Sequence, residues 1–595
     1  MQDKIKRISV WLCMLPTFAT VFSAIGAQDP IQQELHSVDE QFTAIYSEEW
    51  AWRKQTLSID ENTDVRSVPS ALPDVSKKVQ DERLQIWQQV LQDLNTIDVG
   101  ALSDENQTNY AVYRTQIETL IAEQQFRTYE KPLIGDTAFW SDLTYLSKKS
   151  FTRKQEFENY LAWLNDMPRY FDQQIVNMKQ GLARQFTLPK ISLVGRQQSV
   201  ESVVAAKGEE NVYFAPLTRI PSQFSAQERK ALMEEGRKII NEAVIPAHEK
   251  LLTFLVNDYI PNAQPSIAAI DLPDGKAYYE AQIRKYTTLD YTAQEIHQIG
   301  LQEVAAIRER MHEVMKEVGF GGDLHDFLHF LRTDPQFYVE KPQDLLDRAA
   351  WVAKEFDGIA SDWFGRLPRA RFAIEPVPDD IAPFYTAGRG GPGIYLLNTY
   401  DLPSRPLYSL PALTLHESAP GHAFQMPLSL ENDEIPAFRR ESYVSAYGEG
   451  WALYTEKLGE EMGIYHTPYE IFGMLSYQMW RAARLVVDTG IHAKGWSRQR
   501  AQQFMQDNTA LSIHEITTEV DRYIAWPGQA LSYYLGEMSI LACRERAEKA
   551  LGENFDIRHF HDTILHLGSV PLTVLEKRID AFIANGGPSP YGSTH

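Results

Sequence analysis

Apolar residues recur at three- and four-residue spacings along most of this chain, the signature of helices with one buried face. That period predicts helix over 29–66, with a break from Ser67 to Pro73, and two amphipathic helices over 75–127. The stretches 152–185 and 225–260 read the same way. Three more helices are predicted over 290–365, interrupted at Gly321-Gly322, Pro335 and Pro342. The period changes only between 370 and 400. There Arg371 to Glu375 and Ile394 to Asn398 read as strands of a small sheet, separated by the glycine-rich loop Gly388 to Gly393. From 408 onward the pattern is helical almost to the end. The expected fold class is mostly α, with a small β-sheet beside a cleft. No linker or internal repeat stands out, so residues 28–595 read as one unit, either undivided or formed by two lobes.

Composition adds limits. The 595 residues are 44% hydrophobic and 23% charged, which supplies a large core. A formal net charge of -22 disfavours nucleic acid and anionic membrane surfaces as partners. At the N-terminus, Lys4, Lys6 and Arg7 precede an apolar stretch from Ile8 to Ala24, and small residues follow up to Ala27. That order predicts a secretory signal peptide over 1–27, hence a periplasmic or secreted protein with no stable membrane insertion once it is cut. A retained membrane anchor is disfavoured by Pro16, and a lipid-modified Cys13 by the bulky Trp11 and Leu12 before it. Cleavage removes a net +2 and takes the charge to -24. It also leaves Cys543 as the one cysteine, so no intrachain disulfide can form.

Candidate chemistry centres on His416-Glu417-Ser418-Ala419-Pro420-Gly421-His422. Zinc hydrolases need imidazole or carboxylate ligands, an open position for water and a carboxylate to take its proton. H-E-x-x-H on a helix meets that need, with the glutamate as base. Here the second histidine follows after six residues, a step of roughly 120° around an ideal helix. A bulge or kink at Pro420 and Gly421 is expected to absorb the difference. Apolar Leu413, Leu415, Phe424 and Met426 around the pair favour partnered or metal-bound histidines.

Glu449, between Gly448 and Gly450 on a helix predicted over 441–463, is the best third ligand. Glu441 and Glu456 on that helix read as solvated charges. For the oxyanion, Tyr533 is the candidate donor, against a plain core role. Arg522 either clamps a substrate carboxylate or makes a surface salt bridge, with Tyr523 beside it in what reads as the same helical region as Tyr533. His492 either donates to substrate or caps a helix. Tyr395 and Asn398 lie on the strand expected to hold a peptide backbone by edge pairing. His325 and His329, His248-Glu249 and His514-Glu515 imitate parts of the motif but lack its remaining members.

H-E-S-A-P-G-H-x-x-Q at His416 to Gln425 and G-E-G-W-A-L-Y-T-E at Gly448 to Glu456 resemble a large bacterial family of metallopeptidase-like proteins, domain of unknown function 885. Arg484 to His492, Gly495 to Ser497, Pro527 to Gly536 and Pro392 to Thr399 match it as well, in the same order. The pattern is also distantly similar to helical zincin peptidases, the thimet-type oligopeptidases and angiotensin-converting enzymes. That resemblance implies that His416, His422 and Glu449 hold Zn2+ and that Glu417 is the base. The function it implies is a zinc peptidase acting on oligopeptides. The rival readings are a zinc amidase acting on cell-wall or amino-acid conjugates, and a non-catalytic peptide-binding protein.

Overall fold

In the computed structural model, residues 37–56, 69–134, 137–379 and 382–592 are described. The signal peptide read over 1–27 lies outside them. The helices follow the period of the sequence. The 75–127 stretch forms Lys77–Leu94 and Asp104–Phe126, and 290–365 forms Ala293–Glu317, Leu324–Thr333 and Pro342–Trp363. Several begin where Ser or Thr precedes Glu by three residues. Thr292 with Glu295, and Thr467 with Glu470, exchange side-chain and backbone hydrogen bonds as capping boxes.

Two apolar cores organise these helices. The smaller gathers Leu72, Val75 and residues between Leu133 and Ala263, beside the short hairpin β1 (Leu133–Ile134) and β2 (Thr137–Ala138). The larger gathers the first helices and most of the chain after Ala269. Through it runs the helix Pro468–Lys494, buried without interruption from Phe472 to His492. Its buried polar residues, among them Arg481, Arg484 and Asp488, find partners inside that core.

The second sheet comprises β3 (Ala373–Pro376), β4 (Gly388–Gly391) and β5 (Ile394–Leu397), in the order β3-β5-β4. β5 runs parallel to β3 and antiparallel to β4, with Gly390 opposite Tyr395. Two expectations are corrected here. Most of the glycine-rich loop is a strand, because without side chains its backbone can approach its neighbours closely. Ile394 to Leu397 lies at the centre of the sheet, so its hydrogen-bonding groups are already paired and cannot grip a peptide. The edge not paired by another strand among the described residues, on the side of the histidine motif, belongs to β4.

Candidate metal centre

The six-residue spacing is resolved by a helix break. Leu410–Glu417 ends at the first histidine, and His422–Leu430 begins at the second. The intervening turn contains a cis Ala419–Pro420 peptide. Ser418 N–H donates to Thr414 O at 2.9 Å, and Gly421 N–H reaches back to Leu415 O at 3.0 Å. A Cβ at Gly421 would lie 1.9 Å from His416 O, so only glycine closes the turn. The expected bulge within one helix is therefore replaced by two helices meeting at the site. Their imidazoles stand perpendicular, with ring centroids 4.9 Å apart.

Glu449 projects between them from the helix Ser445–Glu461. Its Oε2 lies 3.3 Å from His422 Nε2 and 3.6 Å from His416 Nε2. Ligands about 2.0–2.1 Å from a tetrahedral ion stand roughly 3.3 Å apart, so Glu449 lies from each histidine at a distance that suits sharing one zinc-sized cation. Glu417 also brings a carboxylate oxygen to within 4.8 Å of ligand atoms of both histidines. One of its oxygens is fixed at the sheet, where Oε2 accepts from Gly390 N–H at 2.6 Å. A Cβ on Gly390 would lie 1.8 Å from Glu417 O, so β4 meets the helix end at backbone contact.

Glu456 is the main residue the sequence reading missed. Instead of facing solvent it is fully buried, and its Oε1 accepts from His416 Nδ1–H at 2.7 Å. This bond fixes the tautomer with the Nε2 lone pair directed at the cluster, as metal-binding histidines require. Arg481 approaches the same carboxylate oxygen at 3.4 Å. Glu456 follows Glu449 by seven residues, two helical turns, and that spacing alone put both on one face. Trp451 Nε1–H on the same helix donates to Pro420 O at 2.8 Å and ties the turn to the third ligand.

The charge balance favours a cation, since Glu417, Glu449 and Glu456 surround two imidazoles. Burial opposes a charged imidazole at His416, but hydrogen bonds to Glu449 and Glu456 and the charge of Glu417 lift its pKa to about 9. Burial equally opposes a charged Glu449, yet His422 and His416 hold it well below the usual carboxylate range.

Two tyrosines complete the surroundings. Tyr533 lies nearly parallel to His416, with centroids 6.3 Å apart. The Arg484 guanidinium sits 4.3 Å from the Tyr533 ring centroid. Tyr443, not foreseen from sequence, donates its hydroxyl to Glu449 Oε1 at 3.0 Å. It crosses Gly448, where a Cβ would fall 2.4 Å from the phenol oxygen.

The remaining candidates do not join the cluster. Tyr523 is fully buried, and its hydroxyl accepts from Trp480 Nε1–H and Arg484 Nε–H, both at 2.8 Å. Arg522 donates to Glu519 and to Gln529, so its guanidinium is already engaged. Both lie on Ile513–Ala525, separate from the Tyr533 helix Ser532–Leu551. His492 is buried between Ala269 N–H and Tyr523 O, and burial pushes its pKa down to about 4. Tyr395 is buried against Gly388, and Asn398 donates to the carbonyls of Ala382, Tyr385 and Thr386. These are interior roles, imposed by packing that one-dimensional spacing does not encode. His325 is exposed and grouped with Asp323 and Asp326, while His248 is buried and bonded to Val244 O.

The sequence profile of a bacterial protein family of unknown function, DUF885, matches residues 62–579. No curated protein matches the chain. One similar solved structure is described as "the putative lipoprotein from Colwellia psychrerythraea". It is 25% identical, with a TM-score of 0.83 over 92% of this chain and 100% of that one. Another, "a putative lipoprotein of unknown function from Shewanella oneidensis", is 17% identical, with a TM-score of 0.66 over 91% and 99% of the two chains. At that identity the second likeness is one of fold alone.

Proposed function

We propose that this chain, which belongs to the bacterial DUF885 family, is an exported zinc peptidase acting on oligopeptides. The observation that carries the reading is the convergence of His416 Nε2, His422 Nε2 and Glu449 Oε2 at tetrahedral ligand spacing, with Glu417 beside them. Those three residues would hold Zn2+, which when bound supplies a Lewis acid and lowers the pKa of water. Glu417, held at one oxygen by Gly390 N–H, takes the proton of the attacking water and passes it to the leaving amine. Tyr533 donates to the oxyanion, while the Tyr443 hydroxyl stays on Glu449 and orients it. The outer edge of β4, next to Glu417, offers main-chain groups to an extended peptide.

Two histidines and a glutamate from the following helix form the ligand set implied by the likeness to thimet-type oligopeptidases and angiotensin-converting enzymes. The signal read over residues 1–27 supports export, as does the description of the similar Colwellia psychrerythraea protein as a "putative lipoprotein". Glu417 favours catalysis over passive peptide binding, which needs no general base.

The test pairs metal analysis with turnover on a peptide library. The purified chain is expected to hold about one zinc. Glu417→Gln should keep it while turnover falls by about 10²–10⁴-fold. His416→Ala should lose both metal and turnover. A chain that takes up no zinc, or a Glu417→Gln variant of undiminished activity, defeats the reading.

A further inference from the structure

Arg405 is only 8% exposed, yet its Nε has no hydrogen-bond partner. Among the described residues no carboxylate lies within 4.0 Å of its guanidinium. Its one facing charge is the carboxyl of Glu515, felt through space and not as an ion pair, so an anion that accepts the guanidinium's hydrogen bonds would lower the cost of burying it. Arg405 lines a cavity of about 220 Å³. Arg332 lines it too, with its guanidinium donating to the carbonyls of Gln506, Thr509 and Leu511, so its charge is likewise unmatched by a carboxylate. Among the described residues Glu515 is the one acid on the wall; burial pushes its pKa up, and the charge of Arg405 works against that rise. The Tyr408 hydroxyl is also buried there, with Tyr338 as its polar neighbour. Much of the remaining wall is apolar, including Leu397 and Leu413.

We propose that this cavity binds a monocarboxylate with an apolar body, its carboxylate on Arg405 and its carbon chain against the leucines. Leu413 lies on the eight-residue helix that carries His416 and Glu417 at its other end. The whole helix is about 12 Å long, so the cavity is within a few residues' reach of the candidate metal centre. The ligand is either a free organic acid or the C-terminal end of a peptide. The second source rests on the peptidase reading, whereas binding itself does not.

The test is calorimetric titration of the full mature chain with hexanoate and, separately, with 1-hexanol. Hexanoate should bind one to one and hexanol at least tenfold more weakly. Arg405→Met should weaken hexanoate by about tenfold or more, because it removes the group that holds the carboxylate. Absence of hexanoate binding, equal binding of the alcohol, or undiminished binding by the variant overturns the proposal. Should the variant fail to fold, the contrast between acid and alcohol on the unaltered chain still decides. Peptides with a free or an amidated C-terminus then separate the sources. A KM that rises in Arg405→Met for the free acid alone identifies the peptide's own carboxylate. An unchanged KM for both peptides with hexanoate binding lost identifies a free acid. If no peptide is hydrolysed at all, the peptidase reading fails and the binding result stands.

Discussion

His416 receives its orientation from Glu456, whose carboxylate takes the Nδ1 proton at 2.7 Å. Replacing it by an amide permits the reverse hydrogen bond and the wrong tautomer. Glu456→Gln is therefore expected to weaken zinc by about 10–100-fold, read by competition with a chelator, although it removes no ligand. In the proposed reaction Tyr533 acts at a different stage. Tyr533→Phe keeps the ring against His416 and removes only the hydroxyl, so zinc content should hold while kcat falls by about 10²–10³-fold. Equal loss of metal in both variants would show that Tyr533 supports the ligand set instead of the reaction.

Between elements, the decisive contacts are made by glycines. The Glu449 helix Ser445–Glu461 crosses Ser532–Leu551 at Gly450 and Gly536. A Cβ at Gly536 would stand 1.9 Å from Ala446 O, a backbone atom that cannot rotate away. Gly536→Ala should force the helices apart and lower stability by about 1–3 kcal/mol, seen as a reduced thermal midpoint. Because Glu449 precedes Gly450 directly, zinc affinity should fall with it. Gly390→Ala should differ. Its Cβ meets Glu417 O at 1.8 Å, at the end of a three-stranded sheet outside the helical crossing. Turnover should suffer more than the thermal midpoint, and a variant equally active and equally stable would contradict the close approach of β4.

For the molecule as a whole, two buried acids set a pH dependence. Burial raises Asp488, which accepts from Tyr279 Oη–H and Gly528 N–H, to about 7. Burial also raises Glu537, bonded to Gln478, to about 7. In the unfolded chain they titrate near 3.9 and 4.3. The folded state therefore holds more protons between about pH 4 and pH 7, and the stability these groups contribute is lost as pH rises through that window. Each pH unit over which one group is protonated only in the folded state is worth about 1.4 kcal/mol. Buried His248, His492 and His561, whose pKa values burial pushes down, work the other way below about pH 6.5, so unfolding free energy measured in urea at fixed zinc should fall from about pH 6.5 to pH 8. Asp488→Asn with Glu537→Gln should flatten the slope, and an unchanged slope would rule these two acids out as its source.

Helical period, capping residues and motif order are local properties, and they were legible in the chain. So were the mostly helical class, the position of the small sheet and the grouping of His416, Glu417, His422 and Glu449. His416, Glu417 and His422 stand within seven residues, and Glu449 was marked by the glycines on either side of it on a helix of clear 3.6-residue period. The tertiary structure alone decided the rest. A helix break at Ser418 to Gly421, and not a bulge, brings the second imidazole round. β5 is central and β4 is the edge, because strand order follows from long-range pairing that spacing does not specify. Glu456 turns inward while Tyr523, His492, Tyr395 and Asn398 disappear into the interior, since burial of a polar side chain depends on partners tens or hundreds of residues away.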